Sequence, residues 1–154
     1  MNVRIKRLSA DYEKVLAAFK QSPYILLLAA EGNPPEKYTF EIKVASPVPT
    51  GDDGFSIGNT HKVEVFLPID YPRRAPFCRM ITPVFHPNIA PDKICIGDHW
   101  SAAQSLAQLI VRIAEMLCYQ SYNIKSPLNA KAAVWAQQNV SMLPLQKIDL
   151  MAGL

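Results

Sequence analysis

The sequence predicts an α+β fold, and three observations carry that prediction. Residues 3–20 repeat apolar side chains at helical spacing, residues 24–81 hold four strand-like runs, and residues past 100 return to helical spacing. Strands gathered in one block, with helices before and after them, indicate α+β rather than an alternating α/β chain. The 154 residues suit one domain. A domain of that size buries roughly 68–70% of its unfolded surface and needs no staple.

The first helix directs Ile5, Leu8, Tyr12, Val15, Leu16 and Phe19 to one face and is expected to end before Pro23. Arg4, Lys6, Arg7, Glu13 and Lys14 fall on the other face, which reads as solvated or as a docking surface for an acidic partner. Tyr24–Ala30 is a continuous apolar run, expected to be a strand buried on both faces. Lys37–Val44 alternates, with Tyr38, Phe40, Ile42 and Val44 inward. The Pro- and Gly-rich stretch Ser46–Gly58 reads as a loop. His61, Val63, Val65 and Leu67 alternate again as a third strand. Pro68, Pro72 and Pro76 exclude a central strand through that region, and Phe77–Ile81 is a short fourth strand. The four form an antiparallel meander.

Beyond residue 100, Ser101-Ala102-Ala103-Gln104 fits a capping box, and Leu106, Leu109, Ile110, Ile113 and Leu117 repeat at helical spacing, predicting a helix over 101–119. Trp100 is expected to pack under its first turn. Asn129–Asn139 predicts another helix. The tail beyond about residue 143 reads as a short helix or a disordered segment.

Between the ordered halves lies His86–Trp100, H-P-N-I-A-P-D-K-I-C-I-G-D-H-W. Pro87 and Pro91 exclude a regular helix there, and Asn88 and Asp92 form turns. A long irregular segment with dense turn chemistry between ordered elements is a functional-loop signature. Cys95 sits in it between Ile94 and Ile96; a small buried hydrophobe is the bland reading, a reactive thiol the functional one.

Composition narrows the function classes. The chain is 49% apolar and 19% charged, ordinary for a soluble globular protein. A net charge of +3, with no basic-aromatic stripe, argues against a nucleic-acid binder. Cys78, Cys95 and Cys118 are an odd, widely spaced set, which suits a reducing compartment and at most one reactive thiol. The longest apolar run, Tyr24–Ala30, is too short to span a bilayer, so no membrane association and a cytoplasmic location are expected.

A helix, a meander, Y-P-R-R-A-P-F at Tyr71–Phe77, H-P-N at His86–Asn88, Cys95 shortly after, Trp100 before a long helix and S-P-L-N at Ser126–Asn129 occur here in that order. In this arrangement the chain resembles the ubiquitin-conjugating enzymes, from residue 1 to about 139. H-P-N alone is a weak signal; the ordered set is a strong one.

The resemblance implies that Cys95 accepts ubiquitin or a ubiquitin-like protein from an activating enzyme as a thioester and passes it to an amine or thiol of a protein substrate. That is covalent nucleophilic catalysis. No cofactor is implied, since ATP is used by the activating enzyme, and no metal. By the same resemblance His86 and Pro87 shape the loop, and Asn88 donates to the oxyanion formed when an amine attacks the thioester, or shapes the loop. Ser126 occupies the position where the family carries an acidic residue or a serine. Tyr122 and Asn123 complete the wall, Asp98 and Trp100 support the loop, and Arg4, Lys6 and Arg7 meet the activating enzyme. The segment after Asn88 is shorter than the family's common pattern, which predicts an open cleft and leaves the acidic and aromatic roles in doubt. I-C-I-G-D-H-W with S-P-L-N-A-K-A-A resembles bacterial members encoded in antiphage operons with a ubiquitin-like protein, an activating enzyme and a deconjugating protease.

Other classes fit less well. A non-catalytic binding module of the same fold would not need Cys95. A cysteine hydrolase would pair Cys95 with His86 or His99, but His99 is only four residues away on a tight loop. A zinc site on Cys95 and His99 lacks the other ligands.

Overall fold

The computed structural model describes residues 2–96 and 100–150. Helix α1 spans Val3–Phe19 and is capped by the Asn2 side chain, which accepts from the Ile5 amide at 2.8 Å. Leu8, Asp11, Val15 and Phe19 form its buried seam. Leu16, expected inward, is 45% exposed. It lies about 100° round the helix from Val15, outside a seam this narrow.

Six strands follow: β1 Ile25–Gly32, β2 Pro35–Ile42, β3 Ser46–Pro49, β4 Phe55–Gly58, β5 His61–Phe66 and β6 Phe77–Met80. The main sheet has the order β1-β2-β5-β6 and is antiparallel throughout, the predicted meander. Tyr38, Phe40, Ile42, Val63 and Val65 are fully buried, as the alternation requires. β1 departs from expectation. It is an edge strand with a register shift between Leu27 and Ala29, and Leu28 is exposed. Only one face of this sheet is covered, so a continuous apolar run need not be buried twice. The stretch 46–58 is not a plain loop but the β3–β4 hairpin. Pro47 and Pro49 are tolerated because β3 pairs on one side only.

Two very short strands, β7 Ile89–Ala90 and β8 Lys93–Ile94, then form a hairpin across Pro91-Asp92. Helix α2 spans Leu106–Leu117, with Leu106, Leu109, Ile110, Ile113 and Leu117 buried against the sheet and α1. Its capping box is Ser105/Gln108, four residues later than Ser101/Gln104, and both reciprocal bonds are present. Ser101–Gln104 is instead a separate turn, closed by the Gln104 amide on the Ser101 carbonyl. Two S-x-x-Q patterns lie side by side, and the one adjoining the apolar repeat caps the helix.

α3 spans Ala130–Gln138 with Asn129 as its cap, close to prediction. A single 3₁₀ turn, Val140–Met142, follows. The described part of the tail, residues 143–150, is neither helical nor detached. Gln120 donates to the Gln146 and Ile148 carbonyls, the Gln146 side chain accepts from the Ala45 amide, and Leu150 is buried.

The α1 basic residues require a correction. Lys6 is exposed, but Arg4 and Arg7 turn into the fold. Arg4 donates to the Leu67, Pro68 and Ile69 carbonyls and pairs with Glu36 at 3.1 Å. Arg7 pairs with Asp11 and donates to Tyr71 Oη and to the Ala102 and Gln104 carbonyls. Asp11, 2% exposed, also accepts from Tyr71 Oη and from the Leu106 amide, the first N–H of α2. One buried carboxylate thus joins α1, the Tyr71 turn and the α2 N-terminus, where negative charge is favoured.

Removing one partner of a buried ion pair costs more than the pair contributes, about 3–5 kcal/mol when burial is complete. Arg7→Ala should therefore lower the melting temperature by several degrees in a thermal scan, whereas Lys6→Glu should leave it within about a degree. An Arg7→Ala melting curve matching the unsubstituted protein would show that Asp11 is satisfied without its guanidinium.

Candidate active site

The β7–β8 hairpin delivers Cys95. Its amide donates to the Asn88 carbonyl at 2.9 Å, closing the loop at the end of β8. Ile94 and Ile96 are 4% and 5% exposed, while Cys95 between them faces solvent. Alternation of side chains along an extended segment explains why the two isoleucines, which made a buried cysteine plausible, present an accessible thiol instead. Cys78 and Cys118 are buried, and burial pushes both thiols upward in pKa.

Cys95 lies in a cleft of about 500 Å³ lined by Asn88, Ile96, Arg112, Met116 and residues 121–126 apart from Ile124. Asn88, Ser126, Tyr122 and Asn123 are thereby gathered around the thiol. Arg112 and Met116, which sequence reasoning did not assign, come from successive turns of α2. Helical periodicity had marked only which side of α2 is buried, not what its rim faces.

Asn88 is held at both ends of its amide. Its Oδ1 accepts from the Asn123 N–H at 2.9 Å and its Nδ2 donates to the Asn123 carbonyl at 2.8 Å. Nδ2 carries a second hydrogen. Asn123 Oδ1 in turn accepts from the Lys125 amide. Ser126 is held at φ +52°, a left-handed conformation that is disfavoured again by the following Pro127. Such strain marks a segment whose surroundings over-determine it. Those surroundings include Pro87, buried, whose carbonyl accepts from the Leu128 and Asn129 amides just past the turn.

Behind the loop, His86 is fully buried and its Nδ1 accepts from the Asn88 amide at 3.0 Å. That bond leaves the ring proton on Nε2. Burial pushes its pKa down to about 3, and the Met116 and Ser121 backbone opposes this only weakly, neither meeting Nε2 in good hydrogen-bond geometry. The ring rests on Tyr119, 4.6 Å between centroids. Tyr119 is itself unusual. It occupies the left-handed position closing α2, with Gln120 N–H on the Glu115 carbonyl and its own N–H on the Met116 carbonyl, a place usually given to glycine. The strain of about 1–2 kcal/mol is offset by burial against Trp135 and Tyr122 and by Oη donating to the Phe85 carbonyl at 2.6 Å.

A histidine kept neutral by burial makes the fold acid-sensitive. The unfolded chain takes up a proton near pH 6.5 and the folded chain only near pH 3, so stability falls as pH drops below about 6.5. At pH 5 the loss attributable to His86 is about 2 kcal/mol. His61, also buried and shifted down by burial, adds in the same direction. Melting temperatures should fall between pH 7.5 and 5, and His86→Gln should flatten that slope; an unchanged slope in the variant would remove His86 as its source.

Trp100 packs against the hydrophobic core. Its ring lies against Tyr71, 5.6 Å between centroids, and its Nε1 donates to the Pro72 carbonyl at 2.7 Å. Asp98, expected to support the loop, lies outside the described residues. Arg4, Lys6 and Arg7 are on α1 and do not line the cleft. Among the described residues no His/Cys/Asp/Glu cluster suits a metal, and no helix is long and apolar enough to cross a membrane.

The fold agrees with comparisons to known proteins. The profile of the ubiquitin-conjugating enzymes matches residues 27–146. The chain belongs to the ubiquitin-conjugating enzyme family. It is 37% identical over 101 residues to ubiquitin-conjugating enzyme E2 N of Drosophila melanogaster, covering 62% of this chain and 63% of the relative. It is 35% identical over 86 residues to ubiquitin-conjugating enzyme E2 3 of Arabidopsis thaliana, covering 53% and 56%. The aligned part thus spans less than two thirds of these curated relatives. A solved Plasmodium yoelii chain assigned to the ubiquitin-conjugating enzymes superposes with a TM-score of 0.63 over 92% of this chain and 88% of that one, at 20% identity, a likeness of fold. The N-terminal helix, four-stranded sheet and C-terminal helices are those of the ubiquitin-conjugating fold.

Proposed function

We propose that this family member accepts ubiquitin or a ubiquitin-like protein from an activating enzyme as a thioester on Cys95 and transfers it to an acceptor amine or thiol on a protein substrate. The observation that carries the reading is the exposure of the Cys95 thiol between two buried isoleucines, in one cleft with Asn88. A modifier's flexible C-terminus reaches such a thiol readily, and a solvent-facing loop suits a macromolecular donor.

In charging, the Cys95 sulfur attacks the carbonyl of the incoming thioester and the activating enzyme's thiol departs. In discharge, a neutral amine attacks the new thioester carbonyl, the C–N bond forms, the C–S bond breaks, the sulfur leaves as thiolate and the amine proton passes to solvent. The second hydrogen of Asn88 Nδ2 is suited to the oxyanion of that step. Ser126 orients the amine but is a poor base. His86, buried and neutral, takes no proton from the cleft and serves as a brace. A hydrolase using His86 as base is disfavoured for the same reason.

We extend the reading to a cytoplasmic bacterial antiphage conjugation pathway, with a deconjugating protease from the same operon as a further partner. The support is the resemblance of I-C-I-G-D-H-W and S-P-L-N-A-K-A-A to such proteins. The rival is a non-catalytic module that binds the modifier without charging. Incubating the protein with an activating enzyme, a ubiquitin-like modifier and ATP, followed by a non-reducing gel, separates the two: a thiol-cleavable adduct is expected, and modifier binding without adduct would favour the scaffold.

A further inference from the structure

We propose that the cleft beside Cys95 selects acceptor amines that have a carboxylate as near neighbour, with Lys125 as the residue that reads it. The inference rests on the thioester reading above and names the acceptor class for it.

The first observation is charge. Lys125 and Arg112 line the cleft with the thiol, and no carboxylate lines it among the described residues. The segment 121–126, S-Y-N-I-K-S, contains no acid at all. Arg112 also faces Glu115, whose pKa burial raises and Arg112 lowers, so its charge is partly committed elsewhere. The Lys125 ammonium, by contrast, is exposed and pairs with no carboxylate among the described residues.

The second observation is placement. Lys125 lies on a segment pinned from both sides. Its own amide is bound by Asn123 Oδ1, Asn123 is tied to Asn88 by two hydrogen bonds, and Asn88 accepts from the Cys95 amide. On the other side, Ser126 holds its left-handed turn and the Leu128 amide is fixed on Pro87. The root of Lys125 is therefore set relative to the thiol rather than swinging on a loop.

A cation anchored at its root, in a cleft whose described lining holds no carboxylate, repels an approaching ammonium and lowers the pKa of an amine held beside it. A bare lysine enters such a cleft at a disadvantage. An acceptor with an aspartate or glutamate next to its lysine neutralises Lys125 and is held by it. The reacting step is unchanged: the neutral amine attacks the thioester carbonyl, C–N forms, C–S breaks, and the proton leaves to solvent.

Charge the protein on Cys95, remove the activating enzyme, and measure single-turnover discharge onto short peptides with one lysine flanked by glutamate, by glycine or by lysine. The glutamate-flanked peptide should react about threefold to tenfold faster than the glycine-flanked one at low salt, with the ratio shrinking as salt screens it. Lys125→Glu should invert the order towards lysine flanks, while Lys147→Glu, away from the cleft, should not. In parallel, react uncharged protein with an anionic aromatic disulfide and with a neutral one. Cys95 is the exposed thiol, and Lys125→Glu should reduce the anionic-to-neutral rate ratio by a similar factor. Equal discharge rates across the peptides, or a disulfide ratio unmoved by Lys125→Glu, would overturn the selectivity. Failure to charge at all would instead overturn the conjugation reading, and the disulfide arm distinguishes the two.

Discussion

Cys95→Ala is expected to abolish charging. The variant should give no thiol-sensitive adduct on a non-reducing gel under conditions where Cys78→Ser and Cys118→Ser charge within a few fold of the unsubstituted protein. The difference follows from accessibility. Cys78 and Cys118 are 5% and 0% exposed and burial holds both thiols in the protonated form, so neither meets a macromolecular donor as a nucleophile. Cys95 lies on the open side of the β7–β8 hairpin, reached without moving any core residue. Cys95→Ser should give either no adduct or an oxyester that survives thiols, because an alkoxide is a worse leaving group than a thiolate. Truncation at this exposed position creates no core cavity, so Cys95→Ala should melt with the unsubstituted protein, and loss of charging cannot then be ascribed to unfolding. An adduct of normal yield on Cys95→Ala would sink the assignment.

The legibility of this chain divides along a physical line. Strands β2 and β5 and helix α2 were readable because their apolar residues bury against one continuous core, and burial imposes the period. β1 was misread because its composition does not reveal that it is an edge strand, covered on one face. The β3–β4 hairpin was hidden by prolines that only a one-sided pairing tolerates. Arg4 and Arg7 were misread because helical phase alone assigns charge to solvent. Nothing in the local sequence announces that Tyr71 and the Leu106 amide lie in reach, or that Asp11 is buried to receive them. Around the cleft, Cys95 and Asn88 were legible from the ordered motifs. The Asn88–Asn123 pairing, the left-handed Ser126 and the contributions of Arg112 and Met116 were not, because they depend on how separate segments of the chain meet in the fold.

Asn88→Ala is expected to separate the two steps of the proposed reaction. Its amide makes two hydrogen bonds to the Asn123 backbone, so a bracing role is real in this structure; the question is whether it is the whole role. Asn123 is exposed, and water can replace both bonds when the side chain is removed. The direct cost to stability should be about 1 kcal/mol or less. Transfer between thiols is nearly isoenergetic with a good leaving group, and should stay within a few fold of the unsubstituted rate. Attack by an amine builds an oxyanion from a nucleophile that must also lose a proton, and should fall by about 10²–10³, the range seen when one such donor is removed. Asn88→Asp sharpens the test. It keeps an oxygen to accept from the Asn123 amide but replaces the donor with a negative charge aimed at the developing oxyanion. A brace would be partly rescued by Asp over Ala; a donor would be hurt at least as much. Single-turnover charging, discharge to free lysine and thermal melts of both variants give the answer. Equal losses in charging and discharge, with a lowered melting point that Asp restores, would leave Asn88 as a structural residue only.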